Sequence, residues 1–309
     1  MISFVMLLVG FVLLIWGADR FVDGACAVAR RLGIPSIVVG LTIVAIGTSA
    51  PELSVSLTAA LKGANEIAVG NVIGSNLFNL LVVVGVSAVI APMKADRDLI
   101  HRDLPIVGLV EIALQAAIIL GGGMLHRGFG VAFLVALGGY LFLLVHDAMQ
   151  NHVPADTATL HTPVWTIPLN LAIGLAGIIW GGDLTVDGAT GIARMFGLSE
   201  ELIGLTIVAI GTSLPELVTS ITAARKGESA LALGNAIGSN IFNILLILGV
   251  SSAICPIQVS QMGLIDLGLL ILATLVFTLF MNRHEGVTRK MGTVMTGSYL
   301  AYMAWLIVR

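Results

Sequence analysis

The stretch GLTIVAIGTS at Gly40–Ser49 recurs letter for letter at Gly204–Ser213, 164 residues later. One residue after each copy comes the tripeptide PEL, at Pro51–Leu53 and at Pro215–Leu217. Many apolar residues are interchangeable at each position of such a run, so ten consecutive identities are not expected from composition alone. The chain therefore contains the same structural unit twice, and this repetition decides the fold.

The similarity extends well beyond these motifs. Residues 16–92 align with residues 180–256 without a gap, and about 44 of the 77 paired positions are identical. The aligned region includes a second motif, GNVIGSNLFNLL from Gly70, which reappears as GNAIGSNIFNIL from Gly234. We infer a gene duplication that covers most of each half of the chain.

The composition excludes several classes of protein. Of 309 residues, 57% are hydrophobic and 11% are charged, whereas soluble domains carry about 25% charged residues. The mean hydropathy of +1.03 excludes a soluble enzyme, a disulfide-rich secreted domain and a disordered chain. The net charge of −3 does not favour a nucleic-acid partner. Because a spanning helix needs about 20 apolar residues, the length allows roughly ten spans, and we predict an all-α membrane protein embedded in the lipid bilayer.

The apolar runs and their breaks predict five transmembrane helices in each half. The first repeat occupies residues 1–145 and the second occupies residues 166–309, with a short polar, cytoplasmic linker at 146–165. The predicted spans lie near residues 3–29, 36–61, 66–91, 104–122, 128–145, 166–193, 201–224, 230–255, 264–281 and 291–308.

An odd number of spans per repeat makes the second repeat enter the membrane from the opposite side, so we predict ten transmembrane helices in two inverted five-helix repeats. Loops on one side carry Arg30, Arg31, Lys94, Arg97, Arg102, Arg225, Lys226, Arg283, Arg289 and Lys290. The other side carries Lys62, Arg127, Arg194 and Arg309. The richer side is expected to face the cytoplasm, which places both termini outside a cell membrane.

Polar residues at bilayer depth are costly, so they are normally buried, paired or functional. Thr48 and Glu52 lie four residues apart and share one helical face, with Ser49 beside them. Pro51 cannot donate a hydrogen bond to the carbonyl of Gly47, so a broken helix with a free carbonyl near a carboxylate is predicted. The second repeat has the same arrangement in Thr212, Ser213, Pro215 and Glu216.

The second motif adds a polar stripe at a spacing of four residues. Its members are Asn71, Ser75 and Asn79 in the first repeat, and Asn235, Ser239 and Asn243 in the second. A set of carboxylate, hydroxyl, amide and carbonyl oxygens without His or Cys suits Ca²⁺ or Na⁺ rather than zinc or copper. Two glutamates would neutralise one Ca²⁺ or hold two Na⁺, with a further Na⁺ on neutral oxygens. A single such Glu or Asn is often structural, but a matched pair of complete motifs favours function.

Other polar residues leave alternatives open. Asp19 and Asp23 match Asp183 and Asp187 in the second repeat. They would line an ion entrance, anchor their helices at the membrane interface, or pair with Arg20 or Arg30. Glu111 would serve a local helix contact. The sequence has no HExxH, GxSxG or P-loop motif, so we expect no enzymatic activity, no ATP coupling and no cofactor.

With both motifs present twice and in order, the sequence resembles the cation/calcium exchanger superfamily, specifically the compact prokaryotic sodium/calcium exchangers. The two GTSxPEL segments and the two GNxIGSNxFN segments are similar to the alpha repeats of that family. The resemblance implies a fold of ten helices in inverted halves, in which spans 2, 3, 7 and 8 enclose the ions. It also implies that spans 1 and 6 slide across the site to alternate access.

The resemblance implies roles for individual residues. Glu52 and Glu216 would be the carboxylates shared by Ca²⁺ and Na⁺, and Thr48 and Thr212 would coordinate through hydroxyl or backbone oxygens. The flanking Na⁺ sites would be completed by four serines and two alanine carbonyls, namely Ser49, Ser75, Ser213, Ser239, Ala45 and Ala209.

The second repeat departs from the family pattern at one position. Asn79 occupies the amide position of the first repeat, but Asn243 stands where characterised exchangers often have an acidic residue. This removes one possible charge or proton site and leaves the ion stoichiometry open.

The leading hypothesis is a secondary antiporter that exports Ca²⁺ in exchange for Na⁺, with a ratio of one to about three that rests on the resemblance. Exchange linked to H⁺ or K⁺ is the alternative within transport, because a desolvated glutamate can bind a proton. A passive cation channel is the alternative from another class. A site enclosed in one chain needs no protein partner, so a monomer is expected.

Overall fold

A computed structural model describes residues 2–150, 163–197 and 209–308, and these are almost entirely helical. The α-helices are α1 (Ile2–Leu32), α2 (Ser36–Val39), α3 (Ala45–Thr48), α4 (Ala50–Leu61), α5 (Asn65–Phe78), α6 (Val84–Ile90), α7 (Leu104–Leu120), α8 (Arg127–Gln150), α9 (Thr166–Met195), α10 (Ala209–Gly211), α11 (Leu214–Arg225), α12 (Ser229–Phe242), α13 (Gly249–Ile254), α14 (Gln261–His284) and α15 (Arg289–Val308). Four π-helical segments adjoin them, at Gly40–Val44, Asn79–Val83, Leu99–Asp103 and Asn243–Leu248.

The helices confirm the prediction of an all-α, multi-pass membrane protein. Among the described residues, seven helices are long and apolar enough to cross a membrane, and the bent pair Ser36–Thr48 and Ala50–Leu61 makes an eighth. The helical stretches at 209–225 and 289–308 complete a set that agrees with the predicted ten spans. The structure also refines the boundaries, because α8 continues to Gln150 and makes 146–150, part of the predicted linker, helical.

Four two-residue strands tie loops of the two halves together. The strand β1 (Met93–Lys94) pairs antiparallel with β4 (Gly286–Val287), and β2 (Met124–Leu125) pairs antiparallel with β3 (Ile257–Gln258). The single span α7 separates β1 from β2, so the two pairs lie on opposite faces of the protein, here named the β1–β4 face and the β2–β3 face. Because β1 and β3 are equivalent in the repeat yet lie on opposite faces, the repeats are inverted.

Among the described residues, the most extensive helix contact joins α1 and α9, the first helices of the two repeats. An added Cβ at Gly174 would lie 2.5 Å from the backbone nitrogen of Phe21, and one at Gly181 would lie 2.5 Å from that of Leu14. The glycines at this contact are spaced by seven residues in both helices, at Gly10, Gly17, Gly24, Gly174, Gly181 and Gly188. Their missing side chains let the two backbones touch, which is how membrane helices gain van der Waals contact.

The centre of the protein is formed by α12 together with α5 and the half-helices α4 and α11. In α12, every residue from Leu231 to Phe242 is buried. An added Cβ at Gly234 would lie 2.8 Å from the carbonyl oxygen of Ile37, so this glycine lets α12 approach the helix of the other repeat. The large exposed apolar side chains lie mainly on outer helices such as α1, α8 and α14, as expected for lipid-facing surfaces.

Candidate ion-binding site

In both repeats a helix breaks just before the repeated Pro–Glu pair. In the first repeat α3 ends at Thr48 and α4 begins at Ala50, with a bend of 50° between the two pieces. In the second repeat α10 ends at Gly211 and α11 begins at Leu214. The prolines occupy the first turn of the new helices, where a missing N–H costs nothing. The predicted broken helices are therefore confirmed in both repeats.

The breaks bring the two glutamates to one place through hydrogen bonds that cross between the repeats. Ser49 donates to Oε1 of Glu216 at 3.0 Å, and Ser213 donates to Oε1 of Glu52 at 3.0 Å. Glu52 is 1% exposed and Glu216 is 0% exposed. The two acids thus face each other's repeat in the protein interior and do not point towards lipid.

The serines of the second motif extend this cluster. The hydroxyl of Ser213 lies 3.0 Å from that of Ser75, and Ser239 donates to Oε1 of Glu216 at 3.5 Å. Ser49 and Ser213 come from the helix breaks, Ser75 from α5 and Ser239 from α12. Three of these hydroxyls therefore bond directly to the carboxylates and the fourth bonds to Ser213, and the sequence predicted all four residues.

The asparagines at the start of the polar stripe hold the half-helices in place. Asn71 donates to the carbonyl oxygen of Glu52 at 3.3 Å and to Ser56 Oγ at 2.8 Å. Asn235 makes the same two bonds in the second repeat, to the carbonyl oxygen of Glu216 at 3.3 Å and to Ser220 Oγ at 2.9 Å. These amide nitrogens position the glutamate backbones, so both residues have a structural task in this arrangement.

The threonines complete the symmetry of the cluster. Thr48 donates to Oδ1 of Asn235 at 3.1 Å, and Thr212 donates to Oδ1 of Asn71 at 3.4 Å. The Thr48 hydroxyl also lies 3.5 Å from the carbonyl oxygen of Ala45, which accepts the backbone N–H of Ser49 at 3.1 Å. The equivalent Ala209 is the first residue of α10.

The last two predicted residues begin matching π-helical segments. Asn79 and Asn243 are completely buried, and each opens the segment that follows the polar stripe. Segments of π-helix inside α-helices frequently mark functional sites. In the described residues the side chain of Asn79 has no hydrogen-bond partner, whereas Asn243 donates to Oδ1 of Asn76 at 2.9 Å.

Several buried oxygens of this cluster have no partner among the described residues. They are Glu52 Oε2, Glu216 Oε2, Asn79 Oδ1 and Asn243 Oδ1. Within residues 2–150, 163–197 and 209–308, no Lys or Arg forms a salt bridge with either glutamate. A buried carboxylate without a compensating charge is strongly unfavourable, so the donor set fits a cation that is bound by oxygens.

Two further asparagines belong to the cluster and were not predicted. Asn76 donates to the carbonyl oxygen of Asn240 at 3.1 Å, and Asn240 donates to the carbonyl oxygen of Asn76 at 3.2 Å. The two residues are separated by the repeat distance of 164, so this reciprocal pair lies where the two repeats meet. The available sequence signal was that both GSN segments keep the asparagine next to the serine.

Three further acidic residues that the sequence singled out have partners outside the cluster. Lys226 contacts the carboxylates of Asp19 at 2.7 Å and Asp23 at 2.6 Å, a pairing that the sequence did not suggest. Glu111 accepts a hydrogen bond from Thr274 of α14 at 3.0 Å, in agreement with a local helix contact.

Comparison with known proteins agrees with this architecture. The sodium/calcium exchanger protein family matches residues 2–146 and 166–308 of the chain. The chain belongs to that family. It is 42% identical over 316 residues to the putative antiporter CaxA of Alkalimonas amylolytica, covering 98% of both chains. It is 34% identical over 350 residues to the sodium/calcium exchanger MaX1 of Methanosarcina acetivorans, covering 99% of this chain and 98% of the relative.

A solved structure shares the whole fold. The sodium-calcium exchanger NCX_Mj, soaked with 10 mM Na⁺ and 10 mM Sr²⁺, matches with a TM-score of 0.86 at 32% sequence identity, covering 98% of each chain. The resemblance drawn from the motifs is thereby confirmed. This exchanger-family member is a multi-pass membrane transporter that carries out cation exchange by antiport, and not an enzyme.

Proposed function

We propose that this exchanger moves Ca²⁺ against Na⁺ and binds both at one site between Glu52 and Glu216. The observation that carries the proposal is the crossed pair of Ser–Glu hydrogen bonds, Ser49 to Glu216 and Ser213 to Glu52. These bonds bring two completely buried carboxylates together without a basic side chain among the described residues. A transported cation would supply the missing positive charge.

The chemistry of the donors supports hard cations. The site offers carboxylate, hydroxyl, amide and carbonyl oxygens. In the described part of the chain, no group of three or more His, Cys, Asp or Glu side chains is arranged to hold a metal ion. Oxygen donors favour Ca²⁺ and Na⁺ over zinc or copper. We assign Glu52 and Glu216 as the shared ligands, with the hydroxyl and amide oxygens around them as neutral ligands.

The charge of the site supports exchange. Two carboxylates carry a charge of −2, which a single Ca²⁺ neutralises and which two Na⁺ neutralise equally well. Because both ions need the same two carboxylates, Ca²⁺ and Na⁺ would exclude each other, and this competition is what an antiporter requires. A third Na⁺ on neutral oxygens would leave one net charge to move per cycle and would make transport sensitive to voltage.

The inverted repeats support alternating access around this site. We propose that the β1–β4 face is cytoplasmic, since Arg30, Lys94 and Lys226 lie on it and positive residues favour that side. Both termini would then lie outside the cell membrane. Every residue of the proposed site comes from one chain, so a monomer would suffice.

The decisive experiment measures Ca²⁺ uptake into proteoliposomes that are loaded with Na⁺ and diluted into Na⁺-free buffer. Glu52→Gln keeps the size of the side chain but removes its charge, so we expect uptake to fall to background. Glu111→Gln is the matched control, because Glu111 is also buried in a helix but contacts Thr274 outside the site. Undiminished uptake by Glu52→Gln would refute the site.

The same vesicles separate the alternative functions. If a pH gradient drives Ca²⁺ uptake in place of the Na⁺ gradient, the coupling ion is H⁺. If uptake requires K⁺, the exchange is linked to K⁺. Uptake that does not saturate with Ca²⁺ and needs no counter-ion would indicate a channel.

A further inference from the structure

The two asparagines that join the repeats have unequal neighbours. The side chain of Asn76 uses both of its polar groups, because Nδ2 donates to the carbonyl oxygen of Asn240 and Oδ1 accepts from Asn243. The side chain of Asn240 donates to the carbonyl oxygen of Asn76, but its Oδ1 has no partner in the described residues. All three side chains are completely buried.

These bonds form a chain that determines which way the amide of Asn243 points. A backbone carbonyl can only accept, so the carbonyl of Asn240 requires Nδ2 of Asn76 on its side. Oδ1 of Asn76 is then turned towards Asn243, and that neighbour must present its NH₂ group to it. The oxygen of Asn243 is consequently directed away from Asn76 and is left as a bare acceptor.

The side chain of Asn243 shares its helical face with a residue of the proposed site. Asn243 follows Ser239 by four residues, so the two side chains share a helical face, and Ser239 donates to Glu216. The π-helical segment that begins at Asn243 also packs against α4, the half-helix that carries Glu52. An amide oxygen attracts a cation here, whereas a reversed amide would present its NH₂ group and repel it.

We propose that Asn76 is a positioning residue for cation exchange, which holds the amide of Asn243 with its oxygen towards the transported cation. This inference rests on the proposed function, because it takes Asn243 as a ligand. It assigns a task to Asn76, which forms no hydrogen bond with either glutamate in the described structure and acts through Asn243.

The first repeat has the equivalent asparagines but lacks the bond that would orient Asn79. The equivalent bond would run from Nδ2 of Asn79 to Oδ1 of Asn240, and both atoms are buried without a partner in the described residues. The two amides that begin the π-helical segments are therefore held differently, and Asn243 is the one whose orientation is fixed.

The experiment is a double-mutant cycle on the apparent KM for Ca²⁺ in the Na⁺-driven uptake assay. We expect Asn76→Ala to raise KM about tenfold, the effect of one oriented hydrogen bond or dipole on a charged group, with an unchanged maximal rate. In an Asn243→Ala background the same substitution is expected to have no further effect, because the oxygen that it orients is absent. Asn76→Leu, which keeps the branched shape of asparagine but has no hydrogen-bonding group, is the second variant, and we expect the same rise in KM.

Asn240→Ala is the matched control. It removes an inter-repeat bond of nearly equal length but leaves the bond between Asn76 and Asn243 intact, so its effect on KM is expected to add to that of Asn243→Ala. Effects of Asn76→Ala and Asn243→Ala that simply add would overturn the positioning role. The proposed site itself is tested in parallel with Glu52→Gln, so a loss of uptake there together with additive effects at Asn76 would refute this inference alone.

Discussion

Lys62 and Lys226 occupy equivalent positions at the ends of α4 and α11, yet they are held differently. Lys226 bridges Asp19 and Asp23 of α1 on the β1–β4 face. In the described part of the chain, Lys62 forms no ion pair with the equivalent Asp183 or Asp187 of α9. The packing shows the same difference, since α1 packs along α11 while α9 makes no contact of similar extent with α4 in those residues.

The polar centre differs from these faces, because equivalent residues of the two repeats make nearly the same hydrogen bonds there. The bond from Ser49 to Glu216 is matched by the bond from Ser213 to Glu52, both at 3.0 Å. A symmetric centre between asymmetric faces is what the proposed alternating access predicts for one of its two states. The two repeats contribute equivalent hydrogen bonds to the polar centre, whereas the packing of α1 and α9 distinguishes the two faces.

The largest expected effect tests the symmetry of the centre. Glu216→Gln should reduce Na⁺-driven Ca²⁺ uptake as severely as Glu52→Gln, by about 100-fold or more, because removing one charge from a buried charged cluster costs several kcal/mol. The measurement is the initial uptake rate of both variants beside Glu111→Gln. If one of the two variants retained substantial uptake, the repeats would not contribute equally.

The next effect concerns the contact between α1 and α9. In Gly174→Ala the new Cβ would lie 2.5 Å from the backbone nitrogen of Phe21, so the helices must move apart. Overpacking of this kind costs about 1–3 kcal/mol, and we expect a lower Tm in detergent and about tenfold slower exchange. Gly139→Ala in α8 is the control, because no described atom lies within 4 Å of its new Cβ; equal behaviour of the two variants would contradict the close contact.

A smaller effect is expected from changing the charge of the site. Asn243→Asp adds a third carboxylate beside Glu52 and Glu216, so the ion-free protein should be less stable and Ca²⁺ should stabilise it more. The measurement is the rise in Tm on adding Ca²⁺, which reports binding to the folded protein. We expect a larger rise than in the natural chain, with Asn79→Asp as the equivalent variant; an unchanged rise would place Asn243 away from the cation.

The smallest effect lies at the faces. Exposed ion pairs contribute about 0–1 kcal/mol, so Lys226→Gln should change the ratio of Ca²⁺ KM values measured from the two faces about two- to threefold. Lys62→Gln should leave the ratio unchanged, since Lys62 has no ion pair to lose in the described structure. Oriented proteoliposomes provide the measurement, and equal effects of the two variants would contradict the asymmetry.

The pair at Lys226 also has a predictable pH dependence. Partial burial lowers the pKa of Lys226, but hydrogen bonds and charges of Asp19 and Asp23 outweigh this and raise its pKa above the ordinary value. A basic group whose pKa is raised in the folded state stabilises the folded protein fully at neutral pH, and this stabilisation is lost only as the pH rises through that pKa. The difference in stability between the natural chain and Lys226→Gln, measured as the difference in Tm, should therefore stay constant from about pH 6 to pH 9.

The sequence predicted much of the fold because its strongest signals are local or repetitive. Pro51 and Pro215 break their helices for a covalent reason, the missing N–H, and the structure has breaks there. The repeat distance predicted that Glu52 and Glu216 are equivalent. The same repeat distance relates Asn76 to Asn240, but the bonds between these two residues were not predicted, because no local pattern shows which asparagine of a membrane helix contacts the other repeat.

By itself, the sequence determined that the chain is a duplicated, helical membrane protein with two copies of an oxygen-rich motif, since composition, periodicity and repetition are properties of the chain alone. Only the tertiary structure decided which residues meet. Among the residues that the structure describes, Ser49 bonds to the glutamate of the other repeat and not to its own, and Lys226 forms ion pairs whereas Lys62 forms none. These choices depend on how inverted halves pack across distances of more than 160 residues, and no local pattern encodes that packing.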